Sequence, residues 1–154
     1  MRHMATVKNA KLSDTATFQL GVVGAVVSQR FADRITPLDL KPSHVGVLTI
    51  LANAPAKSQQ DIATALNVAP SLVVKLADHL ETIGAIERTR DPDDRRRQTL
   101  RLTEHGRTRY AECTAITHEL EKDLLMGLSP AERGTLIATL RRVAANLVAT
   151  STDA

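Results

Sequence analysis

Two short helical patterns joined by a tight turn constrain the fold of this chain more than any other sequence feature. They occupy residues 58–82, where Ser58 is placed to cap the first helix, Asn67 supplies the turn and Pro70 opens the second helix. Helices of this length joined by a turn of this kind have the spacing of a helix-turn-helix. In that motif the N-terminal residues of the second helix enter the major groove of duplex DNA.

In the segment that follows, the spacing of apolar residues changes from that of a helix to every second residue, as in a β-strand. Beyond Gly84, the alternating stretches 85–88 and 98–102 flank the turn-forming sequence Asp91-Pro92-Asp93-Asp94. We therefore predict a β-hairpin over residues 85–102 with a highly charged tip. A helix-turn-helix followed directly by such a hairpin is a winged helix.

Three longer helical patterns surround this unit. The first, from Asp14 to Arg34, is apolar on nearly all faces, which is unusual for a surface helix of a monomer. The second begins after the capping residue Thr103, and the third begins at Ser129-Pro130. The predicted fold is mainly α with a small β-hairpin wing, a winged helix-turn-helix plus a helical dimerisation region.

The apolar surface of the terminal helices exceeds what one small core needs, which predicts self-association. We assign residues 12–35 and 108–149 to the dimerisation region and residues 36–107 to a DNA-binding lobe. Seven apolar residues are the predicted dimer contacts: Phe18, Val22, Val26, Leu136, Leu140, Val143 and Leu147.

Charge is concentrated in the wing rather than spread over the chain. The 154 residues carry a net charge of only +3, but residues 87–109 hold eight arginines against five acidic residues. Arginines at a hairpin tip are suited to phosphates and to a narrow minor groove. We expect Asp91 and Asp94 to brace an arginine there. The scarcity of aromatic residues argues against proteins that bind nucleic acid by stacking bases on exposed rings.

The predicted DNA contacts fall into three groups. In the second helix they are Pro70, Ser71, Leu72, Val74, Lys75, Asp78 and His79. In the first helix they are Ser58, Gln59 and Gln60. In the wing they are Arg88, Arg90, Asp94, Arg95, Arg96 and Arg97.

Over residues 12–149 the chain resembles the MarR-type transcriptional regulators. The residues that carry the resemblance are Leu66-Asn67-Val68-Ala69-Pro70-Ser71, Val73, Lys75-Leu76, Asp78, Leu80-Glu81, Gly84, Glu87-Arg88, Asp91-Pro92, Asp94-Arg95-Arg96 and Leu102-Thr103-Glu104-His105-Gly106. The resemblance implies a homodimer that binds a pseudo-palindromic operator in double-stranded DNA. It also implies repression that is relieved by a small anionic or phenolic effector.

The chain departs from the family pattern in its recognition helix. Leu72 and Val74 stand where threonine is common, and His79 stands where arginine follows the aspartate. Fewer hydroxyl groups leave fewer hydrogen-bond donors for base edges, so we expect apolar contact with thymine methyl groups and a contribution from Lys75.

The resemblance places an effector pocket between the dimerisation helices and the DNA-binding lobe. We expect His44 and Phe31 near it, with a lining that is mainly aliphatic because aromatic residues are scarce. An exposed polar residue in a first helical turn is the alternative for His44. Cys113 lies on an apolar stripe, which predicts core packing rather than a redox role.

The sequence predicts neither an enzyme, a cofactor nor a metal site. It has no phosphate-binding GxxxxGK, no GxSxG and no zinc-type histidine spacing. No signal peptide is apparent, and the apolar run 18–27 is too short to span a bilayer, so we expect a cytoplasmic protein without membrane contact. The alternative function is a winged-helix protein-interaction module that binds an acidic partner through its basic hairpin.

Overall fold

The computed structural model describes residues 11–150, with side chains described through residue 147. The helices of this part of the chain are α1 (Ala16–Ile35), α2 (Pro42–Ala52), α3 (Gln59–Leu66), α4 (Pro70–Thr82), α5 (Glu104–Leu124) and α6 (Pro130–Thr150). The strands are β1 (Lys57–Ser58), β2 (Ile86–Arg90) and β3 (Gln98–Leu102). Two 3-10 turns, Leu12–Asp14 and Thr36–Leu38, flank α1.

The chain divides into two compact units, one ending at Thr117 and the other starting at His118. The hydrophobic core belongs to the first unit, where α2, α3, α4 and the sheet bury their apolar faces together. Its fully buried large side chains include Ile35, Leu48, Ile62, Leu80, Ile86 and Leu100.

Local capping chemistry sets the ends of the helix-turn-helix as the sequence predicts. The Ser58 hydroxyl accepts from the Asp61 amide at 3.1 Å, and the Asp61 carboxylate accepts from the Ser58 amide at 3.2 Å, a reciprocal capping box. Asn67 ends α3 in the left-handed conformation, with φ of 53°, which asparagine tolerates better than most residues. Pro70 then stands in the first turn of α4.

The sheet contains one strand more than the predicted hairpin. Strands β2 and β3 pair antiparallel as expected, but β1 pairs with the other edge of β3, giving the order β1-β3-β2. Two residues are too few to show an alternating pattern, so sequence reasoning missed β1. Because Ser58 is both the partner of Thr99 in the sheet and the cap of α3, the first helix of the motif is attached directly to the wing.

Cys113 is a core residue, which confirms the prediction of core packing. Its side chain is almost completely buried and belongs to the main hydrophobic cluster. Burial raises the pKa of its thiol, because the thiolate is poorly solvated there. The more reactive thiolate form is therefore disfavoured.

The two terminal helices carry large exposed apolar surfaces in their respective units. In α1, Phe18, Leu20, Val22, Val23 and Val26 are each 41–48% exposed. In α6, Leu136, Ile137 and Leu140 are exposed at 37–41% and Leu147 at 66%, and no residue between Pro130 and Leu147 is buried. Only Val143 among the predicted dimer contacts is half-buried.

The backbone at the start of α5 packs closely against the backbone at Ala85, the residue that precedes β2. The Thr103 amide donates to the Ala85 carbonyl at 3.1 Å, and the Thr103 hydroxyl caps α5 by accepting from the Gly106 amide at 3.0 Å. A Cβ atom on Gly106 would lie 1.8 Å from the Ala85 carbonyl oxygen. Glycine is therefore required at this position by close backbone approach.

Replacing Gly106 by alanine is expected to destabilise the protein by about 3 kcal/mol or more, since the backbone must move to admit the methyl group. Urea unfolding followed by circular dichroism measures this loss. Gly134→Ala is the matched control, because nothing lies within 4 Å of a Cβ at that helical glycine. Equal stability of Gly106→Ala and wild type would contradict the packing described.

Candidate nucleic-acid interface

Helix α4 presents a polar outward face opposite its buried side. Val73, Leu76, Ala77 and Leu80 are buried against the core. The residues at helical spacing on the other side, Ser71, Val74, Lys75 and Asp78, are exposed, as are Pro70 and Leu72. Six of the seven α4 residues that the sequence predicts as DNA contacts are thus exposed, and the seventh, His79, is half-buried.

Arg88 joins the wing to the recognition helix. Its guanidinium binds both Asp78 and Glu81 of α4, and its side chain is only 19% exposed. Arg88 and Asp78, both predicted as DNA contacts, thus bind each other. Sequence reasoning missed this role, although a carboxylate pair at positions three apart on one helix face signals a possible arginine partner.

The wing tip is shaped by aspartates that bind the backbone rather than an arginine side chain. Asp94 accepts from the Arg96 amide at 3.0 Å, and Asp91 accepts from the Asp93 amide at 2.9 Å. The expectation that they brace an arginine is therefore wrong at both positions. The reason is local: an aspartate in a tight turn finds a main-chain N–H two residues ahead of it.

Arg97 turns back toward the first helix of the motif. Its guanidinium lies 3.4 Å from the Ser58 hydroxyl and 3.7 Å from the Asp61 carboxylate. Hydrogen bonds from Ser58, with a smaller contribution from Arg97, lower the pKa of Asp61. Of the three consecutive tip arginines, Arg97 thus contacts α3 within its own chain.

The remaining cations of the wing are exposed and share one cleft with the N-terminus of α3. Within residues 11–147, Arg90, Arg95 and Arg96 form no ion pair and no side-chain hydrogen bond. The cleft measures about 670 Å³ and is lined by Ser58, Gln59, Gln60, Arg90, Arg95, Arg96, Arg97 and Gln98. Apart from Gln98, these are predicted DNA contacts, which the fold brings together from two separate segments.

A second cleft lies between the start of α2 and one side of α4. It measures about 610 Å³ and is lined by Thr36, Asp39, Leu40, Lys41, Ser43, His44, Leu72, Lys75, Leu76 and His79. Its apolar wall comes from three leucines, and its polar groups include two lysines. The exposed surface of the lining is mainly apolar.

His44 is buried at this cleft rather than exposed in the first turn of α2. Its Nδ1 accepts from the Lys41 amide at 3.0 Å, so the neutral ring carries its proton on Nε2. Burial, followed by the nearby charges of His79 and Lys41, lowers the pKa of His44 to about 4. At neutral pH its Nε2 is therefore a neutral hydrogen-bond donor.

The structure gives His79 contacts within its own chain that the predicted role as a DNA contact did not include. Its ring stacks on His44 with centroids 4.5 Å apart, and its Nε2 donates to the Asp39 carbonyl at 2.7 Å. Phe31, which we expected beside His44, packs against the hydrophobic core and does not line the cleft.

The described part of the chain has features of neither a membrane-spanning helix nor a metal site. None of its helices is both long and apolar enough to cross a membrane. Among the same residues, no group of three or more histidine, cysteine or acidic side chains is arranged to hold a metal ion.

Sequence comparison relates the chain to known regulators. A family model described as the MarR family matches residues 40–97. A relative from Thauera aromatica, named as a transcriptional regulatory protein for the hcr operon, is 38% identical over 116 residues. That match covers 75% of this chain and 70% of the relative.

Structural comparison gives the same fold over most of the chain. The transcriptional repressor CouR bound to a 23-mer DNA duplex is similar with a TM-score of 0.78 and 31% identity, covering 88% of this chain and 99% of that one. CouR from Rhodococcus jostii RHA1 bound to p-coumaroyl-CoA is similar with a TM-score of 0.76 and 28% identity, covering 88% of this chain and 96% of that one.

Proposed function

The chain belongs to the MarR family of transcriptional regulators, and on that premise we propose that it is a dimeric, effector-released repressor that binds a pseudo-palindromic operator. One observation carries the DNA-binding proposal: the unpaired wing arginines and the N-terminus of α3 line a single cleft. We infer a cytoplasmic DNA-binding protein rather than an enzyme.

The division of the arginines supports phosphate binding by the wing. Arg88 and Arg97 are already paired with acidic residues of the same chain, whereas Arg90, Arg95 and Arg96 are exposed. Neutralising phosphates releases condensed counterions, so these side chains supply affinity that depends on salt. The amide side chains of Gln59 and Gln60, which line the same cleft, can donate hydrogen bonds to phosphate oxygens. The DNA-bound structure of CouR, which has the same fold, supports this assignment.

Replacing Arg95 and Arg96 together by alanine is expected to weaken DNA binding and to flatten its salt dependence. Two lost phosphate contacts per protomer change the slope of log K against log salt by about two, or about four for a dimer. Fluorescence anisotropy with the DNA upstream of the gene, at several salt concentrations, measures both quantities.

The matched control is Arg141→Ala with Arg142→Ala, which removes the same charge from the exposed surface of α6. If the slope of log K against log salt is unchanged in the wing variant, the assignment of these arginines to phosphate binding is wrong. The competing function, binding of an acidic protein partner, predicts negligible DNA affinity in the wild type and loss of partner capture in the wing variant.

The proposed dimer uses α1 and α6. Each helix exposes apolar side chains along its length, and a helix that is apolar on several faces requires cover from a partner. A homodimer is the common solution for a protein that binds two half-sites related by two-fold symmetry.

Introducing a charge into this surface through Val22→Asp is expected to yield a monomer, since the aspartate would be buried without a partner. DNA affinity should fall by about 100-fold, because the two half-sites are no longer bound together. Light scattering and anisotropy measure the two effects, with Ser28→Asp on the same helix as the control. A monomeric wild type at micromolar concentration would contradict the proposal.

We place the effector in the cleft beside His44. The Nε2–H of His44 and the ammonium groups of Lys41 and Lys75 favour a negatively charged or phenolic group, and the leucines favour an apolar body. Because α4 forms one wall of the cleft, a bound effector contacts the recognition helix directly. It releases DNA by favouring a position of α4 that fits the major groove less well.

An effector bound in this cleft is expected to lower DNA affinity, and Lys41→Met is expected to reduce that response about 10-fold by removing one charge partner. Displacement of labelled DNA by p-coumarate and by p-coumaroyl-CoA, the ligand of CouR, tests this. Failure of both compounds to shift DNA binding or thermal stability would count against the site, while leaving the operator-binding assignment intact.

A further inference from the structure

The face of α4 that is directed away from the core is polar, but few of its groups can identify a base by paired hydrogen bonds. We propose that this recognition helix identifies thymine by its C5 methyl group through Val74, so that each half-site contains a thymine whose methyl group is required. The inference rests on the proposed operator binding and names what the operator must contain.

Helical geometry selects the residues that can reach base edges. Since Val73, Leu76, Ala77 and Leu80 are buried, the centre of the opposite face is held by Ser71, Lys75 and Asp78, and Val74 lies beside Ser71 and Asp78 on one flank. Leu72 and His79 lie to one side, where they line the cleft beside His44. Val74 is therefore the exposed apolar side chain on the flank of the outward face that is directed away from the cleft.

The hydrogen-bond donors and acceptors of this face can distinguish few of the bases directly. Helix α4 contains no asparagine or glutamine to make paired hydrogen bonds to adenine, and in the absence of arginine its one side chain able to contact guanine O6 and N7 is Lys75. Asp78, which could accept from cytosine, is engaged by Arg88. The remaining polar groups are the ammonium of Lys75 and the hydroxyl of Ser71. A hydroxyl can both donate and accept a hydrogen bond, so it does not distinguish one base from another.

Val74 can distinguish a base by apolar contact, which the hydrogen-bonding groups of this face cannot do. It is 42% exposed on a face whose neighbours are polar, so its isopropyl group gains from an apolar partner. In the major groove the apolar group on a base edge is the thymine methyl. Lys75 next to it can donate to an acceptor of a neighbouring base, either guanine O6 and N7 or thymine O4.

The test separates the methyl group from every hydrogen bond of the base. Duplexes are first selected from a random library by the full-length protein, and each thymine of the selected site is then replaced by deoxyuridine, which lacks only the methyl. Anisotropy should show a loss of about three- to five-fold at one thymine of each half-site, the effect of removing one buried methyl contact.

The Val74→Ala variant should bind the thymine and deoxyuridine duplexes equally at that position. Leu124→Ala is the matched control and should keep the full discrimination, because Leu124 is an exposed leucine of α5 that lies outside the proposed DNA contacts and both clefts. Val74→Thr, which preserves side-chain shape, should show discrimination between these two limits and covers any failure of the alanine variant to fold.

The outcomes distinguish the inference from the function on which it rests. If deoxyuridine is tolerated at every position while selected duplexes bind tightly, or if Val74→Ala keeps the discrimination, the methyl readout is overturned and operator binding stands. If the library yields no bound duplex, the operator-binding proposal itself fails.

Discussion

Strand β3 is the physical link on which the arrangement of the DNA-binding elements depends. It lies between β1 and β2, with Leu100 fully buried at its centre. Through β1 it holds Ser58, the cap of α3, and through β2 it holds Arg88, which binds the carboxylates of α4. Both helices of the motif are thus attached to the wing, so their positions relative to the arginine tip are set by one buried strand.

The same arrangement divides a basic segment into structural and exposed charges. Arg88 binds α4, Arg97 contacts α3, Arg101 pairs with Glu87 across the sheet, and Arg109 binds Glu112 within α5. A solvent-exposed pair adds little to stability, whereas Arg88, with two carboxylates and a mostly buried side chain, orients an element. Only part of the positive charge of the wing is therefore available to bind a partner.

The cleft beside His44 gives the recognition helix a second set of neighbours. One side of α4 faces the cleft through Leu72, Leu76 and His79, while Val74 is exposed on the opposite flank of the outward face. Lys75 lines the cleft and is also exposed on the outward side. In the function proposed above, a helix that adjoins both surfaces would be the element through which an effector alters DNA binding.

The order of the helices and the hairpin, the caps at Ser58 and Thr103 and the burial of Cys113 follow from local sequence patterns, because they depend on apolar periodicity and on groups within a few residues of one another. Ser58, Asn67, Pro70 and Thr103 were assigned on that basis, and the structure agrees. Tertiary structure alone decided β1, the pairing of Arg88 and Arg97, and the contact of His79 with Asp39. The partners of Arg97 and His79 lie 39 and 40 residues away along the chain, and no local pattern specifies which distant group folding will bring within hydrogen-bond distance.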